Sequence, residues 1–420
     1  MMLRRILVFL ALPAMLLLER IAYYGTRSTL MVFMSSPDGG LAMTRESARD
    51  LYKSFTLWVL LAPLLGGLIS IATGPRVIVM IGALVTAIGY FLIAGSTAGS
   101  LSTALLVIAL GQGLLKPGLF AVAGQEMGLR LDNARAALCF LLYGAINLGA
   151  SLANLGSGSV AKAAGLKAAF GASGTLMIVV LVAAIGLSAV LQWVDKKPEP
   201  AATSLRAEMG IGLTLALILP ASFGLGAMGD VMFDAIKASP DGFSSRATSW
   251  LFNVNPVVIG LTAVAAAAVM LAVAMGDRVK LPQHYVLAGG LVVYALGGII
   301  LAVGGNPLSI PVAALGTAVA ALGEGLLFPL GIARAISVSS HRYTGITIAV
   351  WLVVTGAVTW LSSVALNESP RLAIGISVVG CLGAGVTLAV FGKVLSRELF
   401  DHHPPKPTTS IPSPFEGFHS

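Results

Sequence analysis

Seven ionisable residues lie deep inside apolar runs of this chain: Glu19, Arg20, Arg27, Lys116, Asp230, Asp234 and Glu324. A charge at the centre of a membrane span costs roughly 2.5–3.5 kcal/mol on insertion scales. Charges at that cost are not packing residues. Acids and bases together in apolar surroundings make a polar pathway through a helix bundle, where a carboxyl can take up and release a proton as its partners move. Glu324 and Glu19 are the candidate proton carriers, and Lys116 is the base that would pair with Glu324. The uncharged candidates are Tyr23, Tyr24, Asn147 and Asn255. An Asn inside a span can equally be an interhelical hydrogen bond.

The elements that must hold these residues follow from composition. Of 420 residues only 10% are charged, against about 25% in soluble domains. Mean hydropathy is +0.92. This is an all-α membrane protein. Twelve spans are expected, near 5–34, 51–73, 76–95, 101–127, 134–160, 169–194, 210–236, 248–275, 283–303, 309–338, 343–366 and 371–396. Several exceed 25 residues, which implies tilt or kinks. The longest polar break, 195–208, is expected as a cytoplasmic linker between two six-helix bundles, 1–194 and 209–397. The Pro- and Ser-rich 398–420 reads as a disordered cytoplasmic tail. The run after Arg4-Arg5 is broken by Glu19-Arg20 and lacks a small-residue cleavage site, so it is expected as an uncleaved first span.

The net charge of +8 is not a nucleic-acid signature, because the basic residues do not form a face. Most fall in the short loops of one side, including Arg76, Arg130, Arg135, Lys196, Lys197, Arg278 and Lys280, which places both termini in the cytoplasm of a multi-pass cell (inner) membrane protein. Cys139 and Cys381 sit in apolar runs and read as reduced core residues. No metal site, nucleophile–base constellation or phosphate loop stands out, and no cofactor is expected. The five histidines lie in loops, at span ends or in the tail, and Gly156-Ser157-Gly158 reads as a helix-packing surface.

An internal repeat is legible. Gly111-Gln112-Gly113-Leu114-Leu115-Lys116-Pro117 matches Gly323-Glu324-Gly325-Leu326-Leu327-Phe328-Pro329 at an offset of 212, and Tyr143-Gly144-Ala145 falls on Thr355-Gly356-Ala357 at the same offset. Leu12-Pro13-Ala14 matches Leu219-Pro220-Ala221 at 207. Two such halves in the same orientation are the architecture of the major facilitator fold. Equivalent residues then face each other at one depth. Arg27 falls on Asp234, an acid and a base able to close a gate. Asp230, one turn earlier, is the alternative partner or a cavity residue. Glu324 falls on Gln112, one turn from Lys116, so Lys116 and Glu324 could meet across a central cavity.

The motifs themselves point to a family. Glu19-Arg20-Ile21-Ala22-Tyr23-Tyr24-Gly25 resembles the first-helix E-x-x-E-R-F-x-Y-Y-G of proton-dependent oligopeptide transporters. The stretch 111–117 with Gly124-Gln125-Glu126 is similar to that family's G-x-G-G-I-K-P and G-D-Q. Tyr143 to Gly149 resembles F-Y-x-x-I-N-x-G, Asn255-Pro256 its N-P, and Gly323 to Gly331 its G-E-x-x-x-x-P-x-G. The first glutamate of E-x-x-E-R is Leu16 here, the second-span tyrosine is Leu60, and only Gly74-Pro75-Arg76 remains of the loop motif. The resemblance implies proton-coupled import of di- or tripeptides or peptide-like molecules by alternating access, with no enzymatic step. It implies that Arg20, Tyr23, Tyr24, Lys116, Asn147, Asn255 and Glu324 hold the substrate. Transport of another small molecule, export, and a non-transporting receptor on the same scaffold stay open. Glu126 beside Arg130 reads as a gate or surface pair, Arg334 likewise, and Trp250 and Trp351 read as packing or interface residues.

Overall fold

The computed structural model describes residues 2–127, 132–192, 205–239, 246–275, 282–305, 307–339, 342–366 and 369–399. The expected linker lies mostly outside them and the expected tail almost wholly so. Among the described residues there are twelve α-helices: α1 (Met2–Ser35), α2 (Arg45–Thr73), α3 (Pro75–Ala94), α4 (Leu101–Met127), α5 (Asp132–Ala164), α6 (Leu166–Gln192), α7 (Leu205–Ala238), α8 (Arg246–Met275), α9 (Gln283–Val303), α10 (Ile310–Val338), α11 (Thr344–Ala365) and α12 (Pro370–Leu399). All twelve are long and apolar enough to cross a bilayer. In hydrocarbon a helix satisfies its backbone groups internally, which is why unbroken apolar runs become helices here. The face at which α1 begins is called the near face, and the opposite one the far face.

Turn chemistry sets where helices stop. Thr44 caps α2, its Oγ1 accepting from the Ser47 amide at 3.2 Å. Gly74 ends α2 at φ 82, a backbone region glycine alone enters freely, and Pro75 then opens α3. That single-residue hinge is the surviving fragment of the loop motif.

The two halves repeat one another. Helix α3 packs on α4 as α9 does on α10, α3 on α6 as α9 on α12, and α1 on α5 and α6 as α7 on α11 and α12. Between halves, α5 crosses α8 and α11 crosses α2. The register agrees in detail. A side chain at Gly82 would strike Gly111 and Leu115, and one at Gly290 would meet Gly323 and Leu327. The α4–α10 offset is therefore the 212 read from sequence, and the α3–α9 offset is 208. These small residues let backbones touch, which is how helices associate in lipid. A valine at Gly323 would collide with the α9 backbone at Gly290 and Tyr294. Gly323→Val is expected to cost about 1–3 kcal/mol or more and to cut the monodisperse fraction in size-exclusion chromatography several-fold. Leu322→Val, on the adjacent exposed side of α10, should leave that fraction unchanged. Gly156 and Gly158, in contrast, face open space. Only Ser157 turns inward, its hydroxyl 2.7 Å from that of Ser28, so that stretch is not the helix-packing surface expected.

Candidate functional site

Helix α1 carries the first wall. Residues 20, 23, 24 and 27 share one helical face, and Arg20, Tyr23, Tyr24 and Arg27 occupy it. Glu19 and Arg20 are buried, at 0% and 1% exposure. The Arg20 guanidinium donates through Nε and Nη2 to both Glu19 oxygens, and through Nη2 to Gln112 Oε1 on α4. It also lies 4.5 Å from the Tyr23 ring and 5.6 Å from that of Tyr24. A buried guanidinium needs this: its charge is neutralised by a carboxylate and its faces are covered by aromatic rings. Gly149 of α5 leaves the room, since a side chain there would strike Arg20. Gln112 is thus a positioning residue whose role the sequence marked only through its equivalence with Glu324.

Tyr23 gathers two further cations. Lys116 Nζ is 5.4 Å from its ring and the Arg27 guanidinium 6.0 Å. Arg27 Nε donates to the Tyr52 hydroxyl at 2.7 Å. Tyr52, on α2, is a partner that no motif singled out.

The second wall holds the acid. Glu324, 6% exposed on α10, accepts from the Tyr143 hydroxyl at 2.9 Å and from Asn255 Nδ2 at 3.2 Å. Tyr143 belongs to α5 and Asn255 to α8, so one carboxylate ties both halves together. Tyr143 stacks on Phe328, with centroids 5.9 Å apart and planes at 4°. Asn147 Nδ2 bonds back to the Tyr143 carbonyl at 3.0 Å, while Ser151 donates to Asn253 at 3.2 Å across the α5–α8 contact. Asn147 therefore supports its own helix in this conformation and leaves its amide oxygen available.

Two expected pairs are not formed. Lys116 stands over Tyr23 while Glu324 is held by Tyr143 and Asn255, so their charges remain on opposite walls. Arg27 is engaged by Tyr52, and Asp234 pairs with Lys237 at 3.6 Å on an exposed stretch of α7, where its side chain is 64% exposed. Asp230, one turn before, has a buried Oδ2 with no hydrogen-bond partner. The physical reason lies in how the halves meet. At the near face they close: Gly124 of α4 abuts Ile336 and Thr344, and Gly67 and Ser70 of α2 press on Gly345 and Ile346 of α11. Towards the far face α7 packs on α9 to α12, and no more than marginally on α1 or α2. The chain stands closed at the near face and parted at the far one, which is where Arg27 and Asp234 would meet. Repeat symmetry gives the depth and direction of a residue and not the width of a gap that changes between states.

Glu126 is bridged by Arg76 at 2.7 Å at the near face; the expected pairing with Arg130 lies outside the described residues. Trp351 is buried against Gly331, whereas Trp250 is 61% exposed. Both cysteines are free and buried. Among the described residues no cluster of metal-ligating side chains occurs.

Comparison with known proteins gives the same direction. A family model described as the POT family matches residues 76–206. Dipeptide and tripeptide permease A of Escherichia coli (strain K12) is 27% identical over 190 residues, 43% of this chain and 36% of that protein. Peptide transporter YePEPT of Yersinia enterocolitica is 32% identical over 170 residues, 39% of this chain and 33% of that one. This chain thus matches only about a third of those relatives' own length. Among solved structures, a peptide transporter POT in complex with sulfate superposes with a TM-score of 0.64 at 19% identity, covering 93% of this chain and 95% of that one. A POT family transporter in complex with 5-aminolevulinic acid gives 0.61 at 17% identity, covering 92% and 96%. At such identities the likeness carries the fold, two six-helix bundles of the major facilitator type. The family model over residues 76–206, the motifs in order from α1 to α10 and this fold agree in their likeness to the POT family.

Proposed function

We propose that this protein is a proton-coupled symporter that imports di- or tripeptides, or peptide-like molecules, by alternating access. The observation that carries the reading is the division of charge: cations ranged along Tyr23 on one wall, and Glu324 on the other, with the halves parted on one side. A small zwitterion fits such a division end to end. Its amino group would meet Glu324, and its carboxylate would meet Lys116, with Tyr24, Asn147 and Asn255 on the peptide groups between. Arg20 is already engaged by Glu19 and Gln112, so it sets the potential of the wall and accepts the carboxylate only if Glu19 takes a proton. Glu324 and Glu19 are the carriers of the coupling proton. Arg27 would leave Tyr52 for Asp234, with Asp230 as the alternative, when the far side closes. The basic loops support a reading with both termini on the cytoplasmic side of the cell (inner) membrane, in which the parted side faces outward and awaits substrate. The two bundles, joined through 195–208, rock about the site. The relatives' names, a dipeptide and tripeptide permease and a peptide transporter, support the substrate class. So does a neighbour in complex with a thioalcohol conjugated peptide.

The test is uptake of labelled dialanine into liposomes holding the purified chain, with and without an inward proton gradient. Accumulation above the equilibrium level only under the gradient is the expected result. Binding of peptides by thermal shift with no uptake in either condition would instead favour a receptor, and neither binding nor uptake would remove peptides as the substrate class.

A further inference from the structure

Arg27 and Asp234, the two groups proposed for the far-side gate, both have weak partners in the parted state. Asp234 pairs with Lys237 at 3.6 Å, and the two side chains are 64% and 57% exposed. An exposed pair of that kind contributes little. Arg27 lies about two turns in from the far end of α1, and Tyr52 about two turns in from that of α2. Arg27 Nε donates to the Tyr52 hydroxyl at 2.7 Å, and the guanidinium stands 5.6 Å from the Tyr52 ring. Among the described residues Arg27 forms no ion pair. A guanidinium inside a span is costly unless something answers it. Tyr52 offers an acceptor and a ring face, and no charge.

Helix α2 is also the helix that closes the near face. Gly67 and Ser70 press on Gly345 and Ile346 of α11, and a side chain at Gly356 would strike Leu60. Towards its own half α2 meets α1 lightly. The contacts there include the Arg27–Tyr52 bond and the approach of Phe55 to Tyr23, with ring centroids 6.4 Å apart. The bond therefore fastens the gate arginine to a helix whose near end is packed on the other half.

We propose that Tyr52 is a positioning residue that keeps the far side parted by withholding Arg27 from the acids of α7. This rests on the gate reading given above. Closing is then an exchange of partners, in which Arg27 gives up a neutral acceptor for a carboxylate. An ion pair with hydrogen bonds is stronger than a bond charged on one side alone, so the exchange can proceed once α7 comes within reach. Until then the phenol holds the guanidinium on its own wall. The strength of the first bond sets how often the second forms. A plain ring at position 52 would release Arg27 early, and a carboxylate there would retain it.

Double electron–electron resonance on the whole chain in lipid tests this. Spin labels at Arg49→Cys and Ala238→Cys sit on exposed positions at the far ends of α2 and α7. Both native cysteines are buried, which confines labelling to the introduced ones. Tyr52→Phe is expected to raise the ratio of closed to parted molecules at least about ten-fold, the worth of a hydrogen bond to a charged group. With Asp230→Asn and Asp234→Asn also present, the same substitution should move the ratio less than about two-fold, because the released arginine has no acid to reach. Tyr52→Glu should move it the opposite way, with uptake of dialanine at least about ten-fold lower and affinity by thermal shift kept within about three-fold. An unchanged ratio in Tyr52→Phe, where the two α7 substitutions do change it, would overturn the role of Tyr52 and leave the gate standing. No change in either would overturn both. An equal effect of Tyr52→Phe with and without the α7 acids would make Tyr52 a packing residue and overturn the proposal. Thermal melting of each variant separates altered populations from lost fold, and Tyr52→Phe, which keeps the ring, carries the test if Tyr52→Glu does not fold.

Discussion

Replacing Glu324 by glutamine is expected to reduce gradient-driven dialanine uptake by about thirty-fold or more. Glutamine has the shape of the carboxylate it replaces. Its amide oxygen can still accept from Tyr143 or Asn255, so the tie between α5, α8 and α10 is kept and the protein should melt within a few degrees of the wild type. What is lost is charge. A substrate amine bound to a carboxylate in a site closed from water loses roughly 2–5 kcal/mol when the partner is neutralised, and each 1.4 kcal/mol is ten-fold. The proton site disappears with it. Two readouts separate those losses: peptide affinity from thermal shift, and uptake with and without the gradient. Weakened binding alone would make Glu324 a substrate anchor with the proton carried by Glu19. Intact binding with uptake no longer dependent on the gradient would place coupling at Glu324. Wild-type behaviour in both would leave it a static strut between the halves.

The helices and the repeat were legible because one physical constraint writes both. In lipid, backbone groups must be satisfied within a helix, so an apolar run of sufficient length has one solution. The twelve spans and the offset between Gly111 and Gly323 survive in the packing for that reason. The partners of the charged residues were not legible in the same way. Lys116 and Glu324 lie one turn apart in repeat register, which puts them within about 6 Å of each other in depth, but the separation of the walls depends on which side is parted. Gln112 beneath Arg20, Tyr52 beside Arg27 and Tyr143 on Glu324 are neutral groups. A neutral side chain that neutralises nothing leaves no cost in the sequence to notice. Tyr143 lay inside a quoted motif and still carried no charge to mark it. The near-face pair Arg76–Glu126 adds a partner, from the start of α3, that sequence proximity did not point to.

The gate should separate binding from turnover more sharply than any other site. In the present conformation Asp234 pairs with Lys237 at the surface and Arg27 donates to Tyr52. Asp234→Arg therefore removes nothing that the parted state uses, and peptide affinity by thermal shift is expected to stay within about two-fold. Closing is another matter. If the far side shuts by bringing Arg27 against position 234, two cations then face each other, and like charges brought together away from water cost several kcal/mol. Uptake should fall at least about thirty-fold. Reversing the pair in full, Arg27→Asp with Asp234→Arg, restores attraction and should recover a substantial part of it. Asp230→Asn in the same background decides between the two acids. If Asp230 is the true partner, that substitution alone will impair uptake, Asp234→Arg will be tolerated, and the exchanged pair will recover nothing. The equivalence of Arg27 and Asp234 in the repeat favours the first outcome, since residues related by the pseudo-two-fold approach along the axis on which the halves close.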